Sequence, residues 1–347
     1  MNKIIIALIA VSLLAASCGF GNNATVGVVK TANGGVDWQG ANQIAGTDKS
    51  LLEKSISQMK FNTAGDKIYA SSFSGGLYSS DDAAENWTAA LGNISVYDFA
   101  FDPYDDQVIY AAAYLSEKGR VLVTRDGTKS WTEIYSDVGG RNPVRALAVN
   151  PSNPSEIMIG TGKGALIISR DSGSSWELVV NYSDPINQIS WENDVIYVVV
   201  KNRGLFKSTN GGYDFGLLTK GVRAVLDNGQ PATSFARPSD FLRMAINPND
   251  PSELLLTTNR GLFRSQNGGG SWNYVTMPFR PQAASPFAVA YASGDSKAIY
   301  VSSDAVIFKS TDGGNAWTAS DTSTNGLVTV ILVDRMLPQI AFAGVSE

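Results

Sequence analysis

Short apolar runs separated by turn residues recur along the chain and predict β-strands. One stretch contains four such runs, at residues 95–101, 108–113, 120–124 and 131–135. Because these runs are rich in β-branched and aromatic residues and the first ends at the turn Asp102-Pro103, they are typical of consecutive antiparallel strands. The pattern repeats further along, at residues 143–149, 157–160, 165–169 and 176–180. The chain is therefore predicted to consist of repeated units of four short strands.

A polar phrase with one aromatic residue, Ser/Thr-x-Asp/Asn-x-Gly-x-x-Trp, occurs seven times, and its aromatic recurs every 39 to 57 residues. The acid-or-amide position and the aromatic position hold Asn33 and Trp38, Asp82 and Trp87, Asp126 and Trp131, Asp171 and Trp176, Asn210 and Phe215, Asn267 and Trp272, and Asp312 and Trp317. Ala84 and Thr128 replace the glycine in two copies. Four-stranded units at a period of about 45 residues are typical of a β-propeller. We predict an all-β fold, a seven-bladed β-propeller of four-stranded antiparallel blades that occupies residues 25–347 as a single domain.

The two ends of the chain are predicted to share one blade. Residues 24–43 supply only a third and a fourth strand, and residues 326–345 supply only a first and a second strand. Together they complete the seventh blade, which removes the unpaired sheet edges that an open ring would expose.

The phrases, together with turns such as Asn150-Pro151, resemble the Asp-box (BNR) repeats of sialidase-like, sortilin-type and xyloglucanase-type propellers. They also resemble the repeats of seven-bladed, lipid-anchored propellers that assist photosystem II assembly. The resemblance implies that each phrase forms the turn between the third and fourth strands. Its Asp or Asn would accept backbone N–H groups, and its Gly would adopt a backbone angle that other residues resist. The aromatic would pack beneath the turn, so we expect Trp176 to be buried.

Calcium binding by these phrases is the alternative to a structural role. Three copies carry an amide in place of the acid, at Asn33, Asn210 and Asn267. The copies are also spread around the rim of the predicted ring, so they do not converge on one ion. We therefore predict that the phrases are structural and that no metal or other cofactor is bound.

The composition excludes several classes of function. The chain has 347 residues, of which 44% are hydrophobic, and this is ample for a buried core. Its 27 basic and 32 acidic side chains give a net charge of −5 without any basic run, which argues against a nucleic-acid partner. The absence of histidine removes Ser-His-Asp catalysis, Cys-His catalysis and histidine-ligated zinc.

The first 17 residues are predicted to be a signal peptide. Lys3 supplies the charged start, residues 4–14 supply the apolar stretch, and residues 15–17 supply small side chains for cleavage. Residues 14–18 resemble a bacterial lipoprotein box, although Ala15 stands where Leu is usual. The resemblance implies cleavage before Cys18, a lipid on its thiol, and a short tether over residues 18–24. The alternative is an ordinary signal peptide followed by an unrelated cysteine.

Glycosidase chemistry would require features that the sequence lacks. Sialidases carry three clustered arginines, a tyrosine nucleophile and an Arg-Ile-Pro start, whereas the nearest string here is Phe279-Arg280-Pro281. Xyloglucanase-type enzymes carry an Asp just before a Gly-Gly turn between the second and third strands. Asp304 alone stands near such a turn. Since glycosidases use two carboxylates, we predict a non-catalytic protein.

The candidate binding site lies on the face formed by the loops that enter the first strand of each blade, here called the entry face. Alignment of the first strands places these candidates near the mouth of the central channel: Tyr97, Asp98, Arg145, Asn187, Gln188 and Arg243. A long loop between the fourth and fifth blades, residues 217–239, adds Arg223 and Arg237. Tyrosine and arginine are enriched at protein-binding hot spots. The alternative is a ring of ordinary channel residues hydrated by trapped water.

The sequence therefore predicts a monomeric lipoprotein of the bacterial cell envelope, on its periplasmic or cell-surface side, that acts as an assembly or interaction scaffold. Its partner would be a protein client. Residues 19–24 extend to ~20 Å at most, so they would keep the entry face near the membrane, which favours a membrane-embedded or membrane-adjacent client. The alternative function is that of a surface protein that binds or hydrolyses glycans.

Overall fold

The computed structural model describes residues 26–219, 241–259, 261–279, 287–292 and 295–347. Its strands form seven four-stranded antiparallel sheets, which confirms the predicted seven-bladed β-propeller. The blades are numbered here along the chain, and the blade that contains both chain ends is blade 7. Among the residues so described, no helix is long and apolar enough to cross a membrane.

Blades 1 to 3 follow one another along the chain, and each is a simple meander. Blade 1 contains β3 (Ile56–Phe61), β4 (Ile68–Ser72), β5 (Gly76–Ser80) and β6 (Thr88–Gly92). Blade 2 contains β7 (Ser95–Phe101), β8 (Ile109–Leu115), β9 (Lys118–Thr124) and β10 (Thr132–Ser136). Blade 3 contains β11 (Val144–Val149), β12 (Ile157–Thr161), β13 (Ala165–Ser169) and β14 (Glu177–Asn181). The predicted strands of blade 2 are therefore correct to within about two residues, the usual uncertainty of element ends.

Blades 4 to 6 repeat the same order. Blade 4 contains β15 (Ile186–Glu192), β16 (Val195–Val200), β17 (Gly204–Ser208) and β18 (Gly216–Leu217). Blade 5 contains β19 (Phe241–Asn247), β20 (Asp250–Thr258), β21 (Gly261–Ser265) and β22 (Asn273–Val275). Blade 6 contains β23 (Val289–Ala292), β24 (Asp295–Ser303), β25 (Val306–Ser310) and β26 (Thr318–Asp321).

Blade 7 closes the ring with strands from both ends of the chain, as predicted. Its strand order is β2-β1-β28-β27, where β1 is Gly27–Thr31, β2 is Gln39–Gly40, β27 is Leu327–Val333 and β28 is Ala341–Ser346. Strand β1 pairs with β28 over its whole length, from Gly27 opposite Val345 to Thr31 opposite Ala341. Because β1 occupies the third position of the blade, the chain enters it from the entry face.

The apolar core lies between neighbouring blades. At the junction of blades 3 and 4, Met158 and Leu166 belong to the same buried cluster as Ile186 and Ile196. Burial of each such side chain contributes about 1.5–3 kcal/mol. Each blade is therefore stabilised mainly by the faces that it presents to its two neighbours.

Every copy of the repeated phrase forms the same hydrogen-bonded turn between the third and fourth strands. In blade 3, the Ser169 hydroxyl accepts the Gly173 N–H at 2.8 Å and donates to the Asp171 carboxylate at 2.9 Å, which in turn accepts the Ser175 N–H at 2.8 Å. The equivalent bonds recur in the other six copies. In blade 2 the Ser130 hydroxyl, the Ser130 N–H and the Thr124 hydroxyl all donate to Asp126 and lower the pKa of its carboxyl to about 2. Since Asn supplies the same acceptor oxygen, acid and amide are equivalent in this turn.

The aromatic residue of the phrase joins its blade to the preceding one. The Trp87 indole N–H donates to the Ala41 carbonyl at 2.8 Å, and the Trp176 indole N–H donates to the Ile134 carbonyl at 2.8 Å. Trp38, Trp131 and Trp317 also donate to the preceding blade. The expectation that Trp176 is buried was wrong, because it is half-buried while Trp87 is fully buried. The burial of each tryptophan depends on how far the neighbouring blade covers it.

The fifth position of the phrase always has a left-handed backbone. Its φ is 90° at Gly173, and it remains positive at the two replacements, at 68° for Ala84 and 79° for Thr128. A side chain in this region is strained by about 1–2 kcal/mol, and a β-branched one is a marked outlier. Blades 1 and 2 therefore form the same turn with backbone strain at Ala84 and Thr128 that is absent from the copies with glycine.

A cation at the end of the third strand adds a second joint at the same turn. Lys309 donates to the carbonyl of Gly34 at 2.9 Å, Lys207 to that of Gly268 at 3.4 Å, and Arg264 to that of Gly313 at 3.1 Å. Each acceptor is the fourth residue of the phrase in the following blade. The phrases thus connect blades as well as closing turns.

We expect Thr128→Gly to stabilise the protein and Gly173→Ala to destabilise it. The first change relieves the left-handed strain and should raise the free energy of unfolding by up to ~1 kcal/mol after the entropic cost of glycine. The second should lower it by ~1–3 kcal/mol, because a Cβ at Gly173 would lie 2.5 Å from the Ile134 Cδ1 atom. Thermal and urea unfolding measure both changes. A Thr128→Gly variant less stable than the parent would contradict this account of the turn.

Candidate functional site

The mouth of the central channel is built from β-bulges. In six first strands the pairing skips one residue at the same point, and these residues are Ser57, Tyr97, Arg145, Asn187, Leu242 and Thr329. A bulge redirects its side chain and bends its strand. Three predicted site residues, Tyr97, Arg145 and Asn187, thus owe their positions to bulges, which a simple alternation of faces along a strand does not reveal.

The residue after the bulge joins neighbouring blades in two places. The Asp98 carboxylate is only 5% exposed and accepts the Leu147 N–H of blade 3 at 3.0 Å, and Lys60 of blade 1 is ion-paired to it at 2.7 Å. The Gln188 side chain accepts the Met244 N–H and donates to the Met244 carbonyl, both at 2.9 Å. These contacts engage Asp98 and Gln188 within the ring, so we assign them the role of positioning the site.

Hydroxyl groups make the corresponding joints elsewhere in the inner ring. Ser57 donates to the carbonyl of Val96 at 2.7 Å, and Thr329 donates to that of Ile56 at 2.7 Å. From second strands, Thr257 and Ser302 donate to carbonyls of the following blade. The strands that carry the candidate residues are therefore held by directional bonds as well as by packing.

Arg145 forms the centre of an aromatic cluster on blades 1 to 3. Its guanidinium carbon lies 5.7 Å from the centre of the Tyr97 ring, which meets the Phe73 ring edge-on at 4.8 Å. The Arg145 Nε atom is buried without a hydrogen-bond partner in the described part of the chain. Burial lowers the pKa of Arg145 and raises the pKa of Tyr97. The arginine stays charged, since burial shifts a guanidinium from a very high value.

Arg243 approaches the same region from blade 5. It donates from one terminal nitrogen to the Asn187 carbonyl at 3.0 Å, and its guanidinium carbon lies 5.8 Å from the centre of the Phe287 ring. Burial lowers the pKa of Arg243, the Asp98 carboxylate raises it, and the nearby Arg145 lowers it further. The structure thus places Tyr97, Arg145, Asn187 and Arg243 around one end of the channel.

Other predicted positions lie apart from this group or outside the described residues. Arg223, Arg237 and Cys18 fall in segments that the structure does not describe. Asp304 occupies the turn between β24 and β25 with a φ of 50°, and its carbonyl accepts the Val328 N–H at 2.9 Å. No cluster of three or more metal-ligating side chains occurs within the described ranges.

Comparison with known proteins supports the propeller superfamily. No family model matches the chain. Xyloglucanase Xgh74A from Acetivibrio thermocellus is 26% identical over 199 residues, which cover 43% of this chain and 24% of that protein. Vacuolar protein sorting/targeting protein 10 from Schizosaccharomyces japonicus is 30% identical over 100 residues, covering 27% of this chain and 7% of that protein. The chain therefore spans a quarter or less of the length of these relatives.

Two solved structures share the fold at low sequence identity. The GH74 xyloglucanase from Xanthomonas campestris superposes with a TM-score of 0.68 at 18% identity, covering 84% of this chain and 51% of that one. YCF48 bound to D1 peptide superposes with a TM-score of 0.61 at 16% identity, covering 89% of this chain and 96% of that one. Propellers similar to this one thus include a glycan-degrading enzyme and a peptide-bound protein.

We expect the adjacent substitutions Gln188→Ala and Asn187→Ala to differ in their effect on stability. Loss of the Gln188 amide leaves both polar groups of Met244 unpaired, which should lower the free energy of unfolding by ~1–3 kcal/mol. The side chain of Asn187 makes no hydrogen bond within the described chain, so its removal should change stability by no more than about 0.5 kcal/mol. Urea unfolding compares the two. Equal losses of unfolding free energy would contradict the assignment of Gln188 to positioning the site and of Asn187 to the binding surface.

Proposed function

We propose that the protein is a non-catalytic lipoprotein of the bacterial cell envelope whose entry face binds a protein partner and so acts as a scaffold near the membrane. The single observation that carries the proposal is the Arg145 cluster at the channel mouth. A half-buried arginine over Tyr97, with Phe73 beside it, has the composition of a protein-binding hot spot.

Exposed apolar side chains extend the same face. Val138, in the loop that leads into blade 3, is 98% exposed, and Leu115, at the end of β8, is 41% exposed. The strand topology places both on the entry face, because second strands end there and the loops between blades run there. Exposed apolar residues on the same face as an aromatic and arginine centre support a protein partner, since water is excluded around such centres on binding.

A peptide-bound solved structure with the same fold supports a protein partner. The peptide-bound YCF48 chain is covered almost completely, at 96%, so it is of similar extent to this single propeller. Fold likeness at 16% identity does not transfer a ligand. The proposal therefore rests on the surface of this chain, with that structure as an example of the same architecture used for peptide binding.

The proposed location near the membrane follows from the predicted lipid at Cys18. Strand β1 begins at Gly27 on the entry face, and residues 19–26 separate it from the cysteine. Eight extended residues reach at most about 28 Å. With the lipid attached, the entry face would thus lie close to the bilayer, where a membrane-embedded or membrane-adjacent client is accessible.

Crosslinking and co-purification from native membranes test the partner proposal. We expect the parent protein to capture a specific partner. The amount captured by Tyr97→Ala/Arg145→Ala should fall at least ten-fold, which corresponds to a loss of about 1.4 kcal/mol of binding free energy. The matched control, Tyr104→Ala/Tyr213→Ala, removes two tyrosines that are 72% and 70% exposed on the opposite face. Retention of the partner by the first variant and its loss from the control would overturn the assignment of the face.

Glycan binding or hydrolysis is the second candidate function, and the xyloglucanase similarity in sequence is the observation that favours it. The test is turnover of xyloglucan and chromogenic glycosides, with binding to the same polysaccharides measured in parallel. If the non-catalytic proposal holds, no turnover above background is expected. Activity that disappears in an Asp304→Asn variant would instead establish an enzyme.

A further inference from the structure

We propose that the channel mouth contains a carboxylate-binding site formed by Arg145, Asn187 and Arg243. These residues come from the first strands of blades 3, 4 and 5, which are neighbours in the ring. The hydrogen bond of 3.0 Å from Arg243 to the Asn187 carbonyl connects two of them. As a contact to a partner protein the site rests on the proposed function, whereas its chemistry can be tested without any partner.

The balance of charge in the channel leaves positive charge available. Within the described chain, Arg145 and Arg243 form no ion pair, and Arg145 donates no hydrogen bond at all. The nearby Asp98 carboxylate is already paired with Lys60 at 2.7 Å. Among the described residues of the mouth, Lys60, Arg145 and Arg243 thus stand against the single carboxylate of Asp98, an excess of two positive charges in a protein whose net charge is −5. A net negative protein with a positive channel mouth favours an anionic ligand at this point.

Aromatic rings form the walls on either side of the site. Tyr97 lies beneath the Arg145 guanidinium at 5.7 Å, and Phe287 lies beneath that of Arg243 at 5.8 Å. A guanidinium directs its N–H donors within its own plane, so a ring below it leaves those donors available. The unpartnered Nε of Arg145 is one of the two donors that a bidentate carboxylate contact uses. Asn187 stands at the bulge of the first strand of blade 4, between the blades that carry the two arginines, and its side-chain amide is a further potential donor.

The energetics of the two neighbouring guanidinium groups also favour a ligand. Burial of a charge without a partner is unfavourable, and two like charges add to the cost. A carboxylate that enters between the two guanidinium groups would recover this energy through charge-assisted hydrogen bonds. The ligand is either a small free carboxylic acid or a carboxylate of a partner protein, at its C-terminus or on an acidic side chain.

Thermal unfolding with acetate as the probe tests the site directly. At matched ionic strength, we expect acetate to raise the Tm by several degrees above chloride once it is in about hundred-fold excess over its dissociation constant. The double variant Arg145→Gln/Arg243→Gln should lose this rise. Without acetate, the loss of the Arg243 bond to the Asn187 carbonyl and the relief of two neighbouring like charges act in opposite directions on the Tm. The acetate-dependent rise, measured from each variant's own Tm in chloride, is therefore the quantity compared.

The matched control is Arg141→Gln/Arg203→Gln. These two arginines also lie in entry-face loops, but each has an acidic neighbour, Glu117 at 3.5 Å and Asp184 at 2.7 Å. The control should keep the full acetate-dependent rise. An equal rise in the parent, the Arg145/Arg243 variant and the control would overturn the site, and so would the absence of any rise in the parent. A larger rise with phosphate than with acetate would overturn the assignment to carboxylates.

Two forms of one short peptide then distinguish the sources of the carboxylate. If a partner's C-terminus occupies the site, a peptide with a free C-terminal carboxylate should bind at least ten-fold more tightly than its C-terminal amide. A rise with acetate but no difference between the peptides would identify a free acid or an acidic side chain as the ligand. Binding of both peptides, with no response to acetate in any form of the protein, would refute the carboxylate site while leaving the proposed protein-binding function intact.

Discussion

The structure depends on the joints between neighbouring blades. A four-stranded sheet of this size cannot bury both of its faces alone, so each blade is stable only when packed between two others. Around the inner ring, short side chains and the amide of Gln188 join first strands by direct hydrogen bonds. Around the outer rim, the tryptophan indole of the phrase donates to a carbonyl of the preceding blade, and a lysine beside the phrase donates to the phrase turn of the following blade. The closed ring fixes the first strands, and their bulges then place the candidate binding residues.

The fold was predictable from the sequence because the phrase has few structural solutions. Its glycine, acid and aromatic positions specify one turn, and seven copies with split terminal strands specify a closed seven-bladed ring. The burial of Trp176 was not predictable, because it depends on the neighbouring blade. The bulges were also missed, since the sequence of a first strand such as β11 carries no glycine or other signal for the skipped residue at Arg145.

The candidate site was predictable in outline only. Alignment of the first strands of the blades with one another predicted six residues at the channel mouth, and these residues differ in the contacts that they make in the structure. Tyr97, Arg145 and Asn187 line the mouth, and Asp98 and Gln188 are engaged in joints between blades. Arg243 has both roles, because it lines the mouth and donates to the Asn187 carbonyl of blade 4. The division could not be read from residue types, because a polar side chain serves equally as a ligand contact or as a joint. The excess of positive charge at the mouth was not predictable from the sequence, because it depends on the ion pair between Asp98 and Lys60.

Hydrogen–deuterium exchange of the intact protein, alone and with membranes from its own source, tests the central claim most directly. Protection would report which face a partner covers, because exchange slows where backbone amides are shielded. The account predicts added protection at the starts of β7, β11, β15 and β19 and in the loop that contains Val138. Protection confined to the phrase turns on the opposite face would contradict it.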